Sequence, residues 1–383
     1  MQSVDEGGGG APLSVGNAAR PETISVAVLS TAPRLVCDMA LAIPAHPSAI
    51  TARWLEDVLA AHRPTAPRVT IAALEVEPAI KWNQAETAFL KIRYARNAPD
   101  LPTRLFTKLR REPDPLSDIF PGEVRFYNDA RDADLPIAPC LAAFADPATG
   151  ATCVLLEDLR PTHVTVDWPL PPTVAQCRLA LTSLARVHAD GRQRAGSALG
   201  VREALLGRHV ADMLPAFIDM LGDRLPKDRA DRLVAACQAT PDLKAAAYAS
   251  GGPVTRVHGD AHFWNVLYPR PSTKADALLI EWEDWRIDLA GTDLALLMAV
   301  HWYPDRRARH EVDLLRHYLA HLNRTAVEPM TWDDLWHEYR LGLVCNAAIP
   351  VFQQAAGTPH ASWWSHLERW FLAFEDLGCA ELL

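Results

Sequence analysis

Residues 257–267 read Val-His-Gly-Asp-Ala-His-Phe-Trp-Asn-Val-Leu, and within them Asp260 and Asn265 are the pair whose types and spacing could do chemistry. A carboxylate can orient an attacking hydroxyl and take its proton. A neutral amide oxygen five positions on can hold a divalent cation near phosphates. Those are the requirements of phosphoryl transfer. Gly259 permits a turn close to the reacting groups. A bare Asp-x4-Asn is common in loops, so the pair gains weight only from company. His258, Asp260 and His262 also spell an HxDxH pattern that could bind zinc. No second cluster of histidine or carboxylate at ligand spacing supports that alternative.

Company is present. The stretch Ala277-Leu278-Leu279-Ile280-Glu281-Trp282-Glu283-Asp284-Trp285 reads as a strand that ends in a carboxylate. Mg²⁺ commonly takes one or two such groups together with phosphates, so Glu281 is a candidate second metal ligand. In Arg104-Leu105-Phe106-Thr107-Lys108-Leu109 a lysine closes a strand and could reach phosphate oxygens. Glu123, opening a predicted helix at Gly122-Glu123-Val124-Arg125-Phe126-Tyr127, could orient that ammonium through an ion pair. The Asp-x4-Asn spacing itself occurs in protein-kinase catalytic loops.

These residues need elements to position them. Residues 1–44, rich in Gly, Ala and Pro, read as a poorly ordered leader. A helix is expected from Ser48, with Trp54, Leu55, Val58 and Leu59 on one face and Ser48 as cap. Strands are expected at 69–76, 87–94, 104–109, 137–144 and 152–157, with a helix near 123–130 between the third and fourth. Beyond Leu159 the pattern turns helical at 176–190, 201–221 and 228–247. Short strands follow at 254–258 and 277–282, and a helical, tryptophan-dense remainder runs to Leu383. The pattern predicts an α+β fold: a small β-rich N-terminal lobe over 45–158 and a larger, mainly helical C-terminal lobe over 159–383, with a site between them.

Composition narrows the function. The 383 residues are 49% hydrophobic and 22% charged, ordinary globular values with ample material for a core. With 47 acidic against 38 basic residues the formal net charge is -9, which argues against nucleic acid as a partner. The seven cysteines show no CxxC pattern and read as reduced thiols. No signal peptide or membrane span is apparent, so the protein is expected to act in the cytoplasm, as a monomer or homodimer.

In their order along the chain these motifs resemble the aminoglycoside phosphotransferase and choline kinase superfamily, and within it the bacterial branch near ecdysteroid-kinase-like proteins. The similarity runs from about Ile43 to Leu383. It takes in Thr51-Ala52-Arg53-Trp54-Leu55, Leu105-Phe106-Thr107-Lys108, Glu123, Leu155-Leu156-Glu157-Asp158-Leu159, Leu184-Ala185-Arg186-Val187-His188, the HGDxHxxN loop and Asp293-Leu294-Ala295. The resemblance implies a bilobal protein-kinase-like fold, ATP with Mg²⁺, and transfer of the γ-phosphoryl group to a hydroxyl of a small molecule. It makes Asp260 the catalytic base and Asn265 a metal ligand, and sets Lys108 on phosphate with Glu123 as its partner. The hinge around Glu157 and Leu159 would meet adenine, and the Asp293 segment would brace the catalytic loop.

Two departures follow from the same alignment. The superfamily's metal-binding acid is normally aspartate in a phrase like Ile-Asp-Trp, whereas this chain has Ile280-Glu281-Trp282. The extra methylene moves the carboxylate by about 1.5 Å, a large step for Mg²⁺. The turn expected to cover the nucleotide, Lys81–Glu86, has no glycine and offers Asn83 and Gln84 instead. A catalytically weak, nucleotide-binding pseudokinase is therefore the competing expectation. For the acceptor, Trp282, Trp285, Trp302, Trp332, Trp336, Trp363, Trp364 and Trp370 suit an apolar or polycyclic alcohol. Glu283, Asp284, Asp288 and Asp305 could instead suit a cationic aminoglycoside.

Overall fold

The computed structural model describes residues 41–82, 85–111, 122–194, 200–249, 254–324 and 329–383. Residues 1–40 of the expected leader, and Asn83 and Gln84 of the nucleotide-covering turn, lie outside the described residues.

Helix α1 spans Ala52–His62, and its cap is Thr51, whose Oγ1 accepts from the Trp54 N–H at 3.1 Å. The start expected at Ser48 is corrected: Pro47–Ala49 form a separate single turn. Because Ile50 is extended, the helix can begin only after it. Next come β1 (Ile71–Val76), β2 (Ile80–Trp82), β3 (Ala85–Tyr94), β4 (Arg104–Arg110), α2 (Gly122–Asp129), β5 (Cys140–Ala145) and β6 (Thr152–Glu157). They build one antiparallel sheet in the order β1-β3-β4-β6-β5, with β2 added beside β3. Period-two alternation in β4 sends Leu105 and Leu109 into a core shared with α1, and Phe106 and Lys108 to the opposite face. That opposite face looks toward the helical part, against which Phe106 packs.

The helical part begins after β7 (His163–Val164) with α3 (Val174–Arg194), α4 (Gly200–Leu221) and α5 (Lys227–Ala249). Strands β8 (Val254–Val257), β9 (Val266–Pro269), β10 (Leu278–Leu279) and β11 (Arg286–Leu289) then carry the motif-bearing loops on two small sheets. The strand expected over 277–282 is only the two residues of β10, because its partner β9 meets it at Leu267 and Val266 alone. Helices α6 (Ala290–Ala295), α7 (Pro304–Leu322), α8 (Trp332–Cys345), α9 (Ile349–Ala355) and α10 (His360–Asp376) complete the chain. The architecture is α+β, a β-rich part followed by a larger helical one.

Of the eight tryptophans read as a possible acceptor surface, Trp282, Trp285, Trp302, Trp363 and Trp370 are buried core residues. Trp282 has a specific task. Its ring stacks on Phe126 at 3.8 Å and lies 4.5 Å from His258, tying α2 to the loop after β8. Trp285 adds a second tie, its indole N–H donating to the Gly122 carbonyl at 2.9 Å. Such ring pairs contribute about 0.5–1.5 kcal/mol beyond their buried area. The described cysteines form no disulfide, and no described helix is long and apolar enough to cross a membrane.

Candidate active site

Lys108 stands at the centre of a charge cluster. Its side chain is 8% exposed, and its Nζ lies 3.2 Å from Glu123, 2.6 Å from Glu281 and 2.5 Å from Glu283. β4 supplies the lysine, the first turn of α2 supplies Glu123, and the loop between β10 and β11 supplies the other two. Burial pulls the Lys108 ammonium down, but the three carboxylates outweigh it and hold it well above its usual range. Glu123 is pushed up to about 7, by burial first and then by Glu283 and Glu281, against the pull of Lys108. Burial likewise raises Glu283.

Glu281 has φ of 65°, the one non-glycine residue in the left-handed region among the described residues. That backbone costs about 1–3 kcal/mol and persists where the surroundings over-determine it. Here the ion pair to Lys108 and the buried ring of Trp282 fix the residues on either side of the bend.

The second cluster is the loop between β8 and β9. The Asn265 amide donates to the Asp260 carboxylate at 3.0 Å and to the Asp260 carbonyl at 3.1 Å. The Asp260 side chain is 42% exposed, open enough for a hydroxyl to reach it. Partial burial pulls its carboxyl up, but His262, His258 and His301 hold it well below the usual carboxylate range. The loop is braced from below. Asp293 accepts from the His258 N–H at 2.6 Å and the Gly259 N–H at 2.9 Å, and it meets His188 Nε2 at 3.1 Å. His188 Nδ1 in turn contacts the Tyr318 hydroxyl at 2.7 Å. Gly259 has φ of 86°, and a Cβ there would lie 2.0 Å from the Asp284 carbonyl oxygen, so no other residue fits.

The clusters share a backbone seam. His258 Nε2 donates to the Ile280 carbonyl at 2.8 Å, and the Ile280 N–H donates to the Asn265 carbonyl at 3.1 Å. His258 Nδ1 accepts from the Asp260 N–H at 3.3 Å, which fixes the neutral Nε2–H tautomer, consistent with burial lowering its pKa. Glu281 thus follows directly on a residue bonded to both His258 and Asn265. The structure brings together Lys108, Glu123 and Glu281 in one cluster and Asp260 with Asn265 in the other.

Glu157 and Leu159 make no hydrogen bond or ion pair to either cluster among the described residues. The Glu157 N–H donates to the Pro139 carbonyl, the Asp158 N–H to the Arg104 carbonyl, and the Leu159 carbonyl accepts from Thr162 and His163. Close by, the Arg160 guanidinium covers the Phe89 ring at 3.4 Å and binds Asp158 and Glu77. Among the described residues no group of three or more His, Cys, Asp or Glu side chains is arranged to hold a metal, which leaves the zinc reading of His258 and His262 unsupported.

Sequence reasoning missed Glu283 as a partner of Lys108, and it missed Trp264, His301 and His366 beside Asp260. Glu283 had a signal, since it lies two residues past Glu281 in a bend. Trp264 had one too, lying in the same loop as Asp260, whereas His301 and His366 come from separate elements and had none.

A sequence profile described as the phosphotransferase enzyme family matches residues 87–330, most of the chain, and the protein belongs to that family. It is a phosphotransferase. Among solved structures, a Ralstonia eutropha protein assigned to the aminoglycoside phosphotransferases aligns with TM-score 0.53 at 15% identity, covering 84% of this chain and 97% of the other. That likeness shows the kinase-like fold. Choline kinase LicA from Streptococcus pneumoniae aligns with TM-score 0.49 at 14% identity over 80% of this chain and 94% of its own. Plasmodium vivax ethanolamine kinase aligns with TM-score 0.49 at 11% identity over 82% and 84%. No curated protein matches the chain in sequence.

Proposed function

We propose that the protein is an ATP-dependent kinase that transfers the γ-phosphoryl group to a hydroxyl of a small natural product or similar metabolite. The observation that carries this reading is the seam that joins the Lys108 cluster to the Asp260–Asn265 pair through Ile280. Asp260 accepts the hydroxyl proton as the acceptor oxygen forms its bond to phosphorus. The bond from the γ-phosphorus to the bridging oxygen breaks, and ADP leaves with that oxygen.

Three carboxylates on one ammonium leave an excess of negative charge in a poorly hydrated place, which a cation beside Glu281 would offset. Mg²⁺ would be held by Asn265 and Glu281 and would supply charge neutralisation at the phosphates. Lys108, relieved of Glu281 and Glu283, turns its donors to phosphate oxygens while Glu123 keeps it aimed. Glu157 and Leu159 lie in the segment that would meet adenine. On this reading the lobes divide at Asp158, the chain works in the cytoplasm, and the placement beside ecdysteroid-kinase-like proteins rests on the sequence resemblance alone.

The test is ADP release with ATP, Mg²⁺ and a panel of hydroxylated acceptors. Acceptor-dependent turnover that disappears in Asp260→Asn supports the proposal, and turnover surviving that change rejects it. A second reading, a nucleotide-binding pseudokinase, is favoured by the 2.6 Å contact that occupies both Lys108 and Glu281. It predicts no turnover in the natural chain and a gain in Glu281→Asp.

A further inference from the structure

From Asp260 a line of rings leads away from Lys108 and into the helices. His262 Nε2 lies 3.3 Å from the Asp260 carboxylate. The His262 ring is 5.6 Å from that of His301, which is 4.6 Å from that of His366. Trp264 flanks the line, 5.8 Å from His262 and 5.7 Å from His301. The rings come from the loop after β8, the turn after α6 and the middle of α10.

Each ring has a defined polar edge. His301 Nδ1 donates to the Leu296 carbonyl at 2.6 Å, which leaves Nε2 as an acceptor. His366 Nδ1 is engaged by Gln353 Oε1 at 2.8 Å, which leaves its Nε2 as a second acceptor. The Trp264 indole N–H is buried and has no partner, a donor that the fold itself does not use. Two acceptors and a donor thus line one wall beside the Asp260 carboxylate.

Negative charge is confined to the Asp260 end of the row, where Asp260 and Glu281 act on His262. The charged groups acting on His366 are Arg369, His262 and Asp260, so the far end of the line is faced by a guanidinium. Burial, then Arg369, pushes the His366 imidazole down to about 4, and burial with its two histidine neighbours holds His301 well below its usual range. Two of the acids that could have greeted a cation are committed elsewhere: buried Asp288 is on Lys244 at 2.7 Å, and Asp305 pairs with Arg309 one turn along α7.

We propose that His262, Trp264, His301 and His366 form the acceptor subsite, and that it takes an uncharged, hydroxyl-rich molecule with an apolar face in preference to an amine or polyamine. The inference deepens the kinase reading and rests on it for the role of Asp260. Hydroxyls satisfy the imidazole acceptors and the indole donor, and the ring faces cover the apolar side. A cation would lose water here and gain, beyond Asp260, only the Glu281 carboxylate that the metal would already engage.

The experiment is calorimetric titration of the full chain with Mg²⁺ and a non-hydrolysable ATP analogue present. The neutral probes are phenyl β-glucoside, uridine and myo-inositol, and the cationic probes are kanamycin, choline and ethanolamine. At least one neutral probe should bind about tenfold or more tightly than every cation. His366→Glu should raise cation affinity about tenfold, while His366→Gln keeps the neutral preference. Tighter binding of any cation to the natural chain, or binding of no probe, overturns the inference. Parallel assay of ADP release separates the two claims. A neutral probe that binds and is never phosphorylated leaves the subsite standing and rejects the transfer reading.

Discussion

The two sides of the backbone seam at Ile280 solve opposite electrostatic problems. On one side, three glutamates crowd a single lysine, and burial raises Glu123 and Glu283 because their charge is not fully met. On the other, one aspartate sits among three histidines that hold it ionised. The difference teaches how one bend can hold two unlike electrostatic settings. The glutamate side carries an excess of negative charge, and the imidazole side keeps one carboxylate ionised. The seam keeps them in register, since the Ile280 backbone bonds to the His258 imidazole through its carbonyl and to the Asn265 carbonyl through its N–H.

Breaking the Asp260 side should have the largest effect. Asp260→Asn removes the proton acceptor but keeps the shape and the contact to Asn265, so turnover should fall by about 10²–10⁴-fold with the melting temperature little changed. Steady-state kinetics beside a thermal melt would check both halves of that statement. Breaking the other side should show in stability. Lys108→Met strands three carboxylates around an apolar side chain, and a loss of about 3–5 kcal/mol is expected from urea denaturation.

The brace beneath the seam comes next. Asp293→Ala leaves the His258 and Gly259 N–H groups and the buried His188 without their acceptor. About 1–3 kcal/mol of stability should be lost, and hydrogen exchange at Gly259 should accelerate before the rest of the fold opens. The smallest effect sharpens the comparison through pH. Glu123, raised to about 7, holds a proton in the folded protein that the unfolded chain releases near its ordinary value of 4.5. The stability this gives is present below about pH 4.5 and lost as pH climbs through about 7. The melting temperature should therefore fall by a few degrees across that window, and Glu123→Gln should flatten the slope.

Much of this arrangement was legible in the chain. Strand β6 coincides with its expected span, Thr152–Glu157, because β4 pairs along its whole length and β5 along all of it but Glu157. Lys108, Glu123, Asp260 and Asn265 were legible because each sits at a fixed place in a strand, a helix turn or a loop whose local pattern is strong. Strand β7 was not, and β10 is shorter than expected, since such strands exist only through partners distant in sequence. The commitment of Asp288 to Lys244 was hidden for the same reason. So was the row from His262 to His366, whose members are joined by the packing of α10 against the turn after α6 and by nothing local.

The central claim is that Glu281 and Asn265, one from each side of the seam, together receive a divalent cation with a nucleotide. Electron paramagnetic resonance with Mn²⁺ in place of Mg²⁺ reads this directly. The account predicts that Mn²⁺ is bound in the presence of a non-hydrolysable ATP analogue, and that the double change Asn265→Ala with Glu281→Gln releases it. Equal Mn²⁺ binding by the natural chain and the double variant would contradict it.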